Sequence, residues 1–189
     1  MKLVPEKPKT KPTWTELKKS LSGLDRAGLL GLIQDLYAAD KNNKVFLNTR
    51  FGLGDDHLKP YKKIISRWVC PDVIRGQDIS VAKAKKAISD YKKAIGRPEG
   101  LAELATFYCE ECVTLVDYCY IDSEVYFNAL IHVFDQALMA TSNLSKELRS
   151  PFVERMDEVY VAILGYDRYV GEELYSIMCD YGFTEEESK

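Results

Sequence analysis

Apolar residues recur at helical spacing along almost the whole chain, and no segment alternates as a half-buried strand does. The pattern predicts about nine short helices. Thr13 or Thr15 is placed to cap the first, which ends near Leu21. Asp25 caps the second, where Leu29, Ile33 and Leu36 form a stripe beside Leu30 and Tyr37 as far as Ala39. A third runs from Lys41 to Phe51 and is broken by Gly52-Leu53-Gly54.

Asp55 or Asp56 caps a fourth helix carrying Leu58, Tyr61, Ile65 and Trp68, stopped by Cys70-Pro71. The fifth starts at Ser80, with Val81, Ala84, Ile88, Tyr91 and Ile95 in one seam. Gly96-Arg97-Pro98 is the strongest break, and Pro98 opens the sixth. That helix carries two apolar stripes, one through Leu104, Tyr108 and Leu115 and one through Ala105, Cys109 and Val116, so it is expected to be central. Asp122 or Ser123 caps a seventh to about Thr141, and Ser145 or Ser150 starts an eighth, interrupted at Gly165. The ninth spans about Asp167 to Tyr181 and ends at Gly182.

Short connections between short helices predict an all-α fold of stacked antiparallel helical hairpins, with a compact bundle as the alternative. No strict sequence period marks a repeat family. Residues 1–12, with Pro5, Pro8 and Pro12 among four lysines, read as a flexible basic arm. Residues 13–189 read as one helical domain, with a subdomain hinge near 96–98 as the alternative.

Composition adds one feature. The net charge of −3 hides two opposite halves: residues 1–97 hold 21 Lys+Arg against 10 Asp+Glu, and residues 98–189 hold 5 against 19. A hydrophobic content of 46% and a charged content of 29% are those of a globular chain. No apolar run reaches the roughly 20 residues of a membrane span. The N-terminus lacks the apolar core of a secretory signal, so the cytoplasm is the expected compartment. The five cysteines are then expected as reduced thiols.

Three stretches carry a resemblance. They are Lys11-Pro12-Thr13 with Glu16-Leu17-Lys18-Lys19, Leu32 to Tyr37 with Asn42 to Phe46, and Ala84 to Lys93. Together they resemble an uncharacterised family of small bacterial all-helical proteins of unknown function, over roughly residues 11–140. The layout is also similar to helical segments that accompany SWIM-type zinc fingers in larger bacterial proteins. The resemblance implies an all-α, cytoplasmic, bacterial protein and brings no catalytic residues. The Cys-x-Cys and Cys-x-His pairs of the zinc motif are absent from this sequence.

Three surfaces are candidates for chemistry. Lys59, Lys63 and Arg67 share one stripe of the fourth helix, with Lys62 adjacent, and Lys83, Lys86 and Lys93 share one of the fifth. Such a surface neutralises phosphates, so it points to backbone-directed nucleic-acid binding, or else to a solvated helix face. The acidic half holds nine of the twelve tyrosines. Tyr118, Tyr120 and Tyr126, with Glu110, Glu111 and Asp117, are the candidate surface for a basic protein partner or self-association. The alternative is that these tyrosines only pack helices.

Cys109 and Cys112 form a Cys-x-x-Cys, Cys119 lies a heptad beyond Cys112, and His132 sits on the next helix. Four such ligands suit zinc; the alternative is that buried thiols pack as small hydrophobes. With two histidines in the chain, acid–base triads are hard to assemble, and the Glu-x-x-His of di-iron bundles is missing. No cofactor and no small-molecule substrate is indicated. The expectation is therefore a non-catalytic protein-interaction or scaffold module, then a nucleic-acid-associated protein, then a zinc-binding or enzymatic one.

Overall fold

The structure, a computed structural model, describes residues 11–53 and 57–183. Most of the N-terminal arm, the proposed caps Asp55 and Asp56, and the final TEEESK segment lie outside the described residues. Among the described residues the fold is all-helical: α1 (Trp14–Leu21), α2 (Arg26–Ala39), α3 (Lys41–Arg50), α4 (Lys59–Val69), α5 (Val81–Ala94), α6 (Pro98–Tyr118), α7 (Glu124–Ser142), α8 (Lys146–Tyr166) and α9 (Arg168–Asp180), with a 3-10 turn at Val73–Arg75. No described helix is long and apolar enough to cross a membrane.

The helix starts follow local chemistry. Thr13 and Glu16 form a reciprocal capping box on α1. Asp25, Ser123 and Asp167 each accept a backbone N–H three residues on, opening α2, α7 and α9. Asp167 also ends α8, so α8 and α9 share one residue as their corner. Of the two starts the sequence allows for α8, Ser145 is the cap, so the helix carries Pro151 inside its first turns. One detail differs from the sequence pattern: α8 continues through Gly165 to Tyr166.

The chain divides into two compact units between Lys44 and Val45, inside α3. In the first, no described residue from 11 to 44 is buried. Lys44 lies over the Tyr37 ring, and the Asn43 amide donates to Leu36 O. Trp14, Leu17, Leu30, Ile33 and Leu36 are all exposed.

The second unit holds the core. Hairpins α4–α5, α6–α7 and α8–α9 pack together, and α6 touches α4, α5, α7 and α8. Helix α6 buries ten residues from Gly100 to Val116, because its apolar stripes cover most of its circumference. Leu104, Tyr108 and Leu115 from α6 meet Ile65 from α4, Leu130, Phe134 and Leu138 from α7, Met156 and Ile163 from α8, and Leu174 from α9. Helices α5 and α6, on either side of Gly96–Pro98, belong to this same core. Close approach is built in at Gly171: a Cβ there would stand 2.5 Å from Leu164 Cα, so α8 and α9 pack backbone against backbone.

Candidate partner-binding surface

The acidic residues of α6 do not form one free surface. Arg155 of α8 reaches between Glu103 and Glu110. Its Nη1 donates to Glu103 Oε2 at 2.6 Å, while Nε and Nη2 donate to the two oxygens of Glu110 at 2.6 and 2.8 Å. Lys62 of α4 closes the other side of Glu103. The four charges balance and tie α4, α6 and α8 together. Burial acts to raise the Glu103 carboxyl pKa, but the bonds from Arg155 and Lys62 outweigh it and hold it low. Glu110 is thus a structural partner rather than a free acidic contact. Glu111 is half-buried beside Ser66, and burial pushes its carboxyl pKa up. Asp117 stays exposed.

The tyrosines separate by position. Tyr126 is buried, and its hydroxyl donates to Val69 O at 3.2 Å, so it is a core residue and not a contact residue. Tyr118 is 54% exposed and its hydroxyl lies 3.2 Å from Cys70 Sγ. Tyr120 is 82% exposed.

Tyr120 belongs to a cleft of about 310 Å³ where the α6–α7 and α8–α9 turns meet. Tyr166 fixes this corner, since its hydroxyl receives Ile121 N–H at 2.6 Å and donates to Ile121 O. The rings of Tyr120 and Phe127 lie 6.4 and 5.9 Å from that of Tyr166. Tyr169 stands at the opening, largely exposed. Asp122, Glu124 and Asp167 line the same cleft. Sequence reasoning missed the grouping of Tyr166, Tyr169 and Asp167 with Tyr120. They lie some 45 residues apart, and the only local signal was that both turns cap helices with Ser123 and Asp167.

The basic stripes are partly consumed within the fold. Lys62 pairs with Glu103, and Lys86 with Asp90. Arg67 and Lys83 both lie over the Trp68 ring, at 4.4 and 3.7 Å from its centroid. By accessibility alone, Lys59, Lys63 and Lys93 are exposed.

The cysteines do not gather with His132. Cys109 and Cys112 are fully buried, and burial raises both thiol pKa values far above the ordinary range. Cys119 ends α6, with its Sγ on Leu115 O. His132 bonds to Gln136 on its own helix. Among the described residues, no group of three or more His, Cys, Asp or Glu is placed to hold a metal ion. Neutral, buried thiols are poor nucleophiles. No family model, curated protein or solved structure matches this chain.

Proposed function

We propose that this chain is a non-catalytic protein-interaction module that takes a basic segment of another protein at the cleft around Tyr120. The observation that carries the reading is the exposure of Tyr120 and Tyr169 beside Asp122, Glu124 and Asp167 on a corner held by Tyr166. Tyrosine offers a large rigid contact area with little entropy to lose. Its ring face and the neighbouring carboxylates both attract a guanidinium or ammonium group. The excess of acidic residues over 98–189 adds a long-range attraction for such a segment. The exposed apolar side chains of α1 and α2, Trp14, Leu17, Leu30, Ile33 and Leu36 among them, support an interaction role in general.

The test is fluorescence-anisotropy titration of the full chain with a labelled Arg/Lys-rich peptide and with its Glu-substituted counterpart. The basic peptide should bind at low salt, weaken as salt rises, and lose about tenfold in affinity with Tyr120→Ala or Tyr169→Ala. No binding at low salt, or binding indifferent to both tyrosine variants, overturns the reading. The nucleic-acid alternative rests on Lys59, Lys63 and Lys93. It would be favoured instead by salt-dependent DNA or RNA binding that falls on charge reversal of those three.

A further inference from the structure

A second cleft, of about 530 Å³, lies between α5, the first turns of α6, and α7. Its apolar wall is made by Ile88, Leu101, Ala105, Ala140 and Met139. Ala105 of α6 and Ala140 of α7 are small residues in this lining. Met139, 46% exposed, forms a flexible apolar lip.

The polar groups of this cleft are two lysines and the neutral side chains of Ser89, His132, Gln136 and Asn143. Lys85 and Lys92 line its α5 side, seven residues and so about 10 Å apart along the helix. Among the described residues neither has an ion-pair partner, whereas Lys62 and Lys86 on neighbouring stripes do. Among the described residues, no carboxylate lines the cleft. On the α7 side, His132 and Gln136 bond to each other at 2.8 Å, which uses much of that wall's polar capacity. Helix α6 begins at Pro98 on the cleft edge and presents the side that carries Leu101 and Ala105.

We infer that this cleft binds a small molecule with an apolar body and one anionic group, of the carboxylate type. The apolar body packs between Ala105 and Ala140, and the anion sits between the Lys85 and Lys92 ammonium groups. The volume falls within the range of small-molecule sites, roughly 300–1,000 Å³. The charge of the rim selects an anion over a neutral or cationic head. The site is separate from the tyrosine cleft, and its fate does not depend on that reading.

The experiment is isothermal titration calorimetry of the full chain with sodium decanoate, decanol and decyltrimethylammonium, each below its aggregation concentration. Decanoate should bind with one-to-one stoichiometry, at least tenfold tighter than decanol. Lys85→Glu with Lys92→Glu should abolish that preference, and Ala140→Trp should abolish decanoate binding. Circular dichroism checks that each variant keeps its helix content. Should either variant fail to fold, methyl NMR of the unaltered chain decides instead. Decanoate must then shift the Met139 and Ile88 methyl resonances. The inference is overturned by no decanoate binding, by equal affinity for decanol, by folded variants that still bind decanoate with its preference, or by shifts confined to other methyls. An acidic amphipathic peptide that binds at Met139 while decanoate does not would overturn it too.

Discussion

The guanidinium of Arg155 meets the carboxylate of Glu110 as a parallel pair of hydrogen bonds, Nε to Oε1 and Nη2 to Oε2. That fork fixes α8 against α6 in register, and its outer edge serves Glu103 at the same time. Side-chain exposures of 20–34% place these groups at the edge of the core, where water screens them only in part.

Arg155→Ala would leave Glu103 and Glu110 close together, with Lys62 as their remaining cation. The expected cost is about 2 kcal/mol, below the cost for a fully buried pair. Arg155→Lys keeps the charge but loses the fork, so it should recover only part of this. Urea unfolding followed by circular dichroism reads both as a lower midpoint at an unchanged slope. An unchanged midpoint for Arg155→Ala would show that the cluster contributes nothing to stability.

Acid should act through Glu103. Its folded pKa is depressed, so its contribution is present above the unfolded value near 4.5 and is lost as pH falls through the lower folded value. Glu103→Gln should therefore cost stability at neutral pH and flatten the loss of stability on the acid side. Glu111 has the opposite sign. Burial raises its pKa, so its charged form works against folding above that raised value. Glu111→Gln should raise the neutral melting temperature slightly. Thermal melts from pH 3 to 8 on the two variants would separate these effects.

Thiol reactivity should divide the cysteines by burial. Cys179 is exposed, while Cys109 and Cys112 are buried and held protonated. Under native conditions a thiol reagent should label Cys179 quickly. Cys109 and Cys112 should be labelled only at the rate of unfolding. Mass spectrometry of digested, time-quenched samples checks the order, and rapid native labelling of Cys112 would contradict the packing described for α6.

Two glycines on the α8–α9 hairpin should respond oppositely. Gly171→Ala drives a Cβ into the Leu164 backbone and should cost about 2 kcal/mol or more. Gly165 has open space around its Cβ position and lies near the end of α8. Gly165→Ala should be neutral, or stabilising by up to about 1 kcal/mol. Chemical denaturation of the pair provides the comparison.

Helix positions were legible in the sequence because they are set within a few residues. The Thr13–Glu16 box and the caps at Asp25, Ser123 and Asp167 all close over three residues, and the apolar period marks each buried face. Gly165 misled for the same reason: local preference marks a break there, and α8 packing through Phe152, Met156, Val159 and Ile163 carries the helix past it. The candidate surface was legible only in composition. Tyr120 and Tyr126 are the same residue type six positions apart, yet one is exposed in the α6–α7 turn and the other bonds Val69 in the core. Lys62 and Lys63 are chain neighbours, yet only Lys62 meets Glu103. Which charge finds a partner 41 or 52 residues away depends on how α4, α6 and α8 cross, a relation no local spacing encodes. The sequence by itself determined the helices, their caps and the separation of charge. The tertiary structure decided which tyrosines and lysines remain available to a partner, because burial and pairing belong to the packed helices together and to none of them alone.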